Sequence, residues 1–133
     1  MELKNQTCGL ELSVKLKKLG VNQLSLFYHD TRLKKIAWWE DIQMAPIDSK
    51  DRYISAFTVA ELGNMMPCSI KVKDEIFRLT IWRNEKNWSV FYGGENYCVH
   101  DIIEDTEADA RAKMLIYLIE EKLYGDQVAK QPS

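Results

Sequence analysis

Residues 104–124 read EDTEADARAKMLIYLIEEKLY, and the fold follows from how this stretch is read. Ala108, Ala112, Leu115, Ile119 and Leu123 recur at intervals of three and four, so a 3.6-residue period stacks them on one face of a helix. Met114 and Leu118 widen that face. Thr106 is placed to cap the start, its hydroxyl accepting from an otherwise unpaired backbone N–H. Glu107 and Asp109 put negative charge in the first turn, where the helix dipole favours it. Glu107 with Arg111, and Asp109 with Lys113, are i,i+4 pairs with the acid first, each worth ~0.2–0.5 kcal/mol. Gly125 follows Tyr124 and is placed to end the helix. Ala108 and Ala112 allow close approach to a sheet, while Leu115, Leu118 and Ile119 fill a thicker part of the core.

Upstream, the chain supplies strands for this helix to cover. Ile70 and Val72 alternate with Lys71 and Lys73, the mark of a strand with one wet face. Phe77, Leu79 and Ile81 form the inward row of the next strand, opposite Arg78, Thr80 and Trp82. Polar turns at 84–87 and 93–96 lead into strands at 88–92 and 97–103. Before these, Thr58 and Glu61 match a capping box that opens a short helix at 58–66, limited by Gly63 and Pro67, which buries Ala60, Leu62, Met65 and Met66. Nearer the N-terminus, Leu12, Leu16 and Leu19 share a face of a helix at 7–19, capped by Thr7 and closed by Gly20. Residues 23–28 alternate with Leu24, Leu26 and Tyr28 on one side. His29, Asp30 and Thr31 then turn the chain into a strand at 35–42, with Trp38 and Trp39 on opposite faces. Residues 43–51 read as a loop, and 52–57 as a short strand. The expected fold is therefore α+β: a largely antiparallel sheet of five or six strands packed against the long C-terminal helix, with an N-terminal helix and a short central one. One domain spans 1–125, and 126–133 is a flexible tail.

Composition narrows the function. A chain of 133 residues, 46% hydrophobic and 29% charged, suits one globular domain. Its formal net charge of −2 argues against generic nucleic-acid or membrane binding, though a local basic patch remains compatible with it. The N-terminus has no continuous apolar core of the kind a signal peptide needs, and no segment approaches the ~20 apolar residues that span a bilayer. Cys8, Cys68 and Cys98 are an odd number without CxxC spacing, which fits reduced thiols in a cytoplasm.

Three blocks stand out together: LSLFYHD at 24–30, ISAFTVAELGNMMP at 54–67 and DTEADARAKMLIYLIEEKL at 105–123. In order, spacing and wording the chain resembles a family of small proteins of uncharacterised function from gut bacteria, their phages and prophages. The resemblance covers most of the chain outside 43–51 and the tail, and the third block is its most specific part. It implies an accessory gene of a mobile element and assigns no catalytic residue.

Residue chemistry adds little to this. His29 and His100 each precede an aspartate, and Cys98 with His100 would place a thiol and an imidazole on one strand face. No HxxxH, HExxH or CxxC spacing supports a metal site, and no motif supports a Cys–His nucleophile, so neither a metal nor a cofactor is expected. The paired acids Glu104–Asp105 and Glu120–Glu121 fall at a helix end and on a wet helix face. No Gly-rich phosphate loop occurs.

The aromatics carry more. If strands alternate, Trp38 and Trp39 cannot both face the core, and Trp82 lies opposite an apolar row. An outward tryptophan near Arg78 suits an anchor for a protein partner, or a stacking platform for single-stranded nucleic acid. The N-terminal helix or a dimer mate is the plainer explanation of such a face, by covering it. The reading is a non-catalytic protein-interaction module, cytoplasmic and not membrane-bound, with Tyr28, Trp39, Arg78 and Trp82 as candidate binding residues and a homodimer as one possibility. A nucleic-acid-binding accessory factor is the second choice, favoured by Lys15, Lys17, Lys18, Arg32, Lys34 and Lys35 in the first quarter. An enzyme with an unrecognised site is the third.

Overall fold

The computed structural model describes residues 2–42 and 52–123. In chain order the elements are α1 (Leu3–Gln6), α2 (Leu10–Lys18), β1 (Phe27–Asp30), β2 (Lys35–Trp38), α3 (Trp39–Ile42), β3 (Tyr53–Ser55), α4 (Val59–Met65), β4 (Ser69–Val72), β5 (Glu75–Arg83), β6 (Trp88–Gly93), β7 (Cys98–Glu104) and α5 (Glu107–Glu120). The fold is α+β. Its strands form two antiparallel sheets, ordered β2-β1-β3 and β4-β5-β6-β7, where a single sheet of five or six strands was expected. The division has a local cause. Each sheet is built from strands adjacent in sequence, and the α4 segment turns the chain away between β3 and β4. The expected loop at 43–51, Tyr124, Gly125 and the tail at 126–133 lie outside the described residues. No helix among the described residues is long and apolar enough to cross a membrane.

The C-terminal helix packs on the four-stranded sheet as expected, with the Thr106 hydroxyl accepting from the Asp109 N–H at 3.2 Å. Glu107 and Arg111 pair at 2.7 Å. Half of its 14 residues are buried, including Ala110 and Ile116 off the predicted stripe. The reason is that α5 is covered by more than the sheet: β6 and β7 pack on it, and so do α2 and α4. Ile119 and Leu123 lie only partly buried at the margin of the core.

The expected Asp109–Lys113 pair does not form. Asp109 Oδ1 instead accepts the Gly9 N–H at 2.8 Å, and Lys113 reaches Glu104 at 2.8 Å. Asp109 thereby ties the start of α2 to the first turn of α5. Thr7 does not cap α2 either. It sits in a bridge to Thr58 and its hydroxyl donates to the Leu3 carbonyl, so the helix begins three residues later with Gly9 as its cap. At the other end Gly20 takes a φ of +89°, and the N–H groups of Gly20 and Val21 reach back to the Lys17 and Leu16 carbonyls at 3.1 Å. That closure is the one expected.

The first hairpin is displaced from its predicted register. β1 starts at Phe27, and His29 and Asp30 belong to the strand rather than to the turn, which occupies 31–34. Leu24 and Leu26 are 76% and 46% exposed. Polar bonds override the apolar alternation here: the Glu61 carboxylate accepts from the Ser25 hydroxyl at 2.8 Å and the Leu26 N–H at 3.1 Å. The same carboxylate closes the expected capping box with the Thr58 N–H at 2.9 Å. The second strand stops at Trp38, and Trp39 opens a helical turn. In α4, Leu62 and Met65 are buried, as is the following Met66, while Ala60 is exposed.

Two measurements check this core. Leu115→Ala should lower the unfolding free energy by about 2–5 kcal/mol, and Ile119→Ala clearly less, in urea titrations followed by circular dichroism. Equal losses would mean that α5 does not face the core as described. In the same assay Asp109→Ala should cost about 1–2 kcal/mol, whereas Lys113→Ala should stay within about 0.5 kcal/mol. The reverse order would restore the within-helix pairing.

Candidate functional site

Alternation along β4 to β7 separates two faces. Ile70, Phe77, Val90, Tyr92 and Ile102 point inward and are buried beneath the helices, with Leu79 and Ile81 partly buried beside them. The Tyr92 hydroxyl donates to the Pro67 carbonyl at 2.8 Å, and burial raises its pKa. The opposite face presents Ile76, Arg78, Thr80 and Trp82 on β5, with Trp82 64% exposed and Ile76 57% exposed. Register places Arg78 beside Gly93, Thr80 beside Phe91, and Trp82 beside Ser89, which in turn neighbours Ile103. Ile103 is 53% exposed. Trp82, Ser89 and Ile103 thus form one row across three strands.

Charges gather at one end of this face, where Asp74, Glu75, Arg78 and Glu95 meet. Lys71, beside Ile76 on β4, approaches Asp74 at 3.9 Å. Arg78 and Glu95 both line a recess of about 620 Å³ at the end of the sheet, and neither forms an ion pair among the described residues. α2 does not cover this face, because it packs on α5 and β3.

Of the candidate residues, Arg78 and Trp82 therefore share one face. Tyr28 and Trp39 belong to the region of the three-stranded sheet. The Tyr28 hydroxyl accepts the Ser25 N–H at 3.1 Å, and the Trp39 N–H donates to the Leu26 carbonyl at 2.9 Å. Trp38 packs edge-on to Phe27 at 5.2 Å and is 38% exposed, so Trp38 rather than half-buried Trp39 is the more outward of the two. Ile76 and Ile103 were not singled out from the sequence. The signal was there, since Ile76 precedes inward Phe77 and Ile103 follows inward Ile102.

The histidines and cysteines do not assemble into a reactive centre. The β6–β7 register runs from Val90↔Ile102 to Tyr92↔Val99, a bulge that gives His100 and Asp101 a single residue to oppose. His100 adopts a φ of 49°, and its ring stacks on Tyr117 of α5 at 3.8 Å and 4°. Cys98 pairs with Gly93 on the outer row, so the expected sharing of one face by Cys98 and His100 does not hold. Among the described residues no group of three or more His, Cys, Asp or Glu is placed to hold a metal.

His29 Nε2 lies 2.8 Å from the Cys8 carbonyl and donates to it; burial lowers the His29 pKa, against the opposing pull of that bond and of Asp109. The buried Cys8 thiol sits 3.0 Å from the Ser13 hydroxyl, and burial pushes it up to about 11, so it is no thiolate at neutral pH. These contacts hold the N-terminal segment on β1. They are structural.

The strongest electrostatic feature lies in the first hairpin. Arg52 donates to both carboxylate oxygens of Asp30, at 2.8 and 2.9 Å, and the Arg32 and Leu33 N–H groups add bonds at 3.1 Å. The Arg52 hydrogen bonds lead in lowering the Asp30 carboxyl to about 2, against the opposing effect of its burial.

Comparison with family models, with curated proteins and with solved structures finds no match.

Because the folded pKa of Asp30 lies below its ordinary 3.8, this stabilisation is whole above that value and is lost as pH falls towards 2. Asp30→Asn should therefore lower the urea midpoint at neutral pH, and its difference from wild type should shrink as pH falls from about 4 to about 2. A difference that stays constant across that window would separate the hairpin's stability from this carboxylate.

Proposed function

We propose that this protein is a small interaction module of phage or prophage type, which binds a protein partner in the cytoplasm and performs no chemistry. The observation that carries the reading is the outer face of the four-stranded sheet. Trp82, Ile76 and Ile103 stand exposed there on regular strands, next to an arginine without an ion-pair partner among the described residues. A tryptophan carries ~150–250 Å² of surface to bury, and Trp and Arg are the residues in which interface energy concentrates. Single exposed apolar side chains are ordinary, but Trp82 and Ile103 flanking the small Ser89 in one row across three strands favour a contact surface. The three-block resemblance supports an origin in a mobile element. The free thiols of Cys68 and Cys98, both exposed, suit a reducing compartment.

Trp82 and Phe91 beside Arg78 also have the form of a stacking platform for single-stranded nucleic acid. Such sites add a run of cations that tracks the phosphates. Here Lys71 lies near Asp74, Asp101 adjoins Ile103 on β7, and the chain carries a net charge of −2. The balance favours a protein.

The test is affinity capture from a bacterial lysate by the immobilised full chain. Trp82→Ser should lose the captured protein, and Trp38→Ala on the other sheet should keep it. Retention by both variants would remove the outer face from the proposal. Quenching of tryptophan fluorescence by oligo-dT, with a steep loss on adding salt, would replace the reading with the nucleic-acid one.

A further inference from the structure

We infer that the occupant of this face is a second copy of the chain, packed sheet to sheet about a twofold axis that runs along the strands between β5 and β6. The inference rests on reading the face as an interaction surface and names its partner. Three features of the face lead to it.

The first is an alternation of size between the two central strands. On β5 the outward residues are Ile76, Arg78, Thr80 and Trp82; on β6 they are Gly93, Phe91 and Ser89. Each row therefore pairs a large side chain with a small one: Arg78 with Gly93, Phe91 with Thr80, Trp82 with Ser89. A twofold along the strands exchanges β5 with β6 and keeps every row at its own level. It sets Trp82 over Ser89 of the second copy and Phe91 over its Thr80, and brings Arg78 to the level of its Gly93, beside the Phe91 ring that leans against that glycine. Packed sheets cross at about 30°, so this match holds best near the axis, which is where β5 and β6 lie. A twofold across the strands does the opposite. It lays β5 on β5 and sets Trp82 against Ile76, large on large.

Charge is the second feature. Arg78 has no ion-pair partner among the described residues, and neither has Glu95, which is exposed two residues beyond Gly93. With Arg78 at the level of Gly93 of the second copy, that copy's Glu95 comes beside the guanidinium. The symmetry makes the pair twice.

Area is the third. Four strands about 4.8 Å apart, of four, nine, six and seven residues at about 3.4 Å each, give a footprint of roughly 420 Å² before side-chain relief is added. A stable interface takes about 800 Å² from each partner. The backbone footprint is about half of that, so the dimer needs all four strands together with the relief of side chains such as Trp82, Phe91 and Arg78.

Sedimentation equilibrium of the full chain between about 1 and 200 μM tests this. The expected result is a monomer–dimer equilibrium in that range. Trp82→Glu should give a monomer throughout. Ser89→Tyr adds apolar surface yet fills the recess that receives Trp82, so it too should weaken the dimer. Arg78→Glu and Glu95→Arg should each weaken it about tenfold, and combining the two should restore it. Circular dichroism checks that each variant, including the one at half-buried Ser89, keeps the fold.

A monomer at every concentration overturns the inference, as does a dimer indifferent to Trp82→Glu or one that the double charge reversal fails to rescue. If the chain is monomeric while lysate capture still depends on Trp82, the face takes a different protein; the functional reading then stands and this inference falls. If neither dimer nor Trp82-dependent capture is seen, both fall.

Discussion

The structure depends on burying α5 on more than one side. A helix laid on the surface of a sheet needs one apolar stripe. A helix with a sheet on one side and further helices on another needs small or apolar residues around much of its girth. Ala108, Ala110 and Ala112 meet that need over the first turns by letting neighbours come close, and Met114, Leu115, Ile116 and Leu118 meet it with bulk further on. Once α5 is fixed in this way, β6 and β7 are held from one side and α2 and α4 from others. The four-stranded sheet then has one face committed to the core and one left to solvent.

A small set of polar bonds decides how the remaining pieces are attached. Asp109 holds the start of α2, Glu61 holds the approach to β1 while capping its own helix, and His29 holds the backbone at Cys8. Each is worth little beside the apolar burial, since a net hydrogen bond contributes ~0.5–1.5 kcal/mol. Their effect is on register and position, because each joins segments far apart in sequence. Asp109 and Gly9 are 100 residues apart. These bonds also bear on the three recognisable blocks. Ser25 and Leu26 of the first are bonded to Glu61 of the second, and the third supplies Asp109. Residues of all three blocks thus hold parts of the chain together, and the exposed sheet face lies elsewhere.

That separation explains why an exposed apolar and aromatic face in the structure left little mark on the sequence. The proposed face of Ile76, Arg78, Phe91, Trp82 and Ile103 has no characteristic spacing. Its members lie on three strands, and only the cross-strand register brings them into rows. Arg78 and Trp82 were legible because they sit on one strand, opposite an obvious apolar row. Tyr28 and Trp39 were drawn to the same idea by strand alternation, yet the tertiary structure places them in the region of the other sheet.

What the sequence determined by itself is everything governed by short-range periodicity and end chemistry. The 3.6-residue repeat of α5, the Thr106 cap, the Thr58–Glu61 capping box, the Gly20 closure and the polar turns between β5, β6 and β7 are all decided within a few residues. The tertiary structure alone decided whatever depends on partners distant in the chain. It divided the strands into two sheets, placed β1 at Phe27–Asp30 where 23–28 was expected, gave Asp109 to Gly9 rather than to Lys113, and bulged β7 so that His100 turned to Tyr117. The physical reason is the same in each case: a local preference worth tenths of a kcal/mol yields to burial or a tertiary bond worth more.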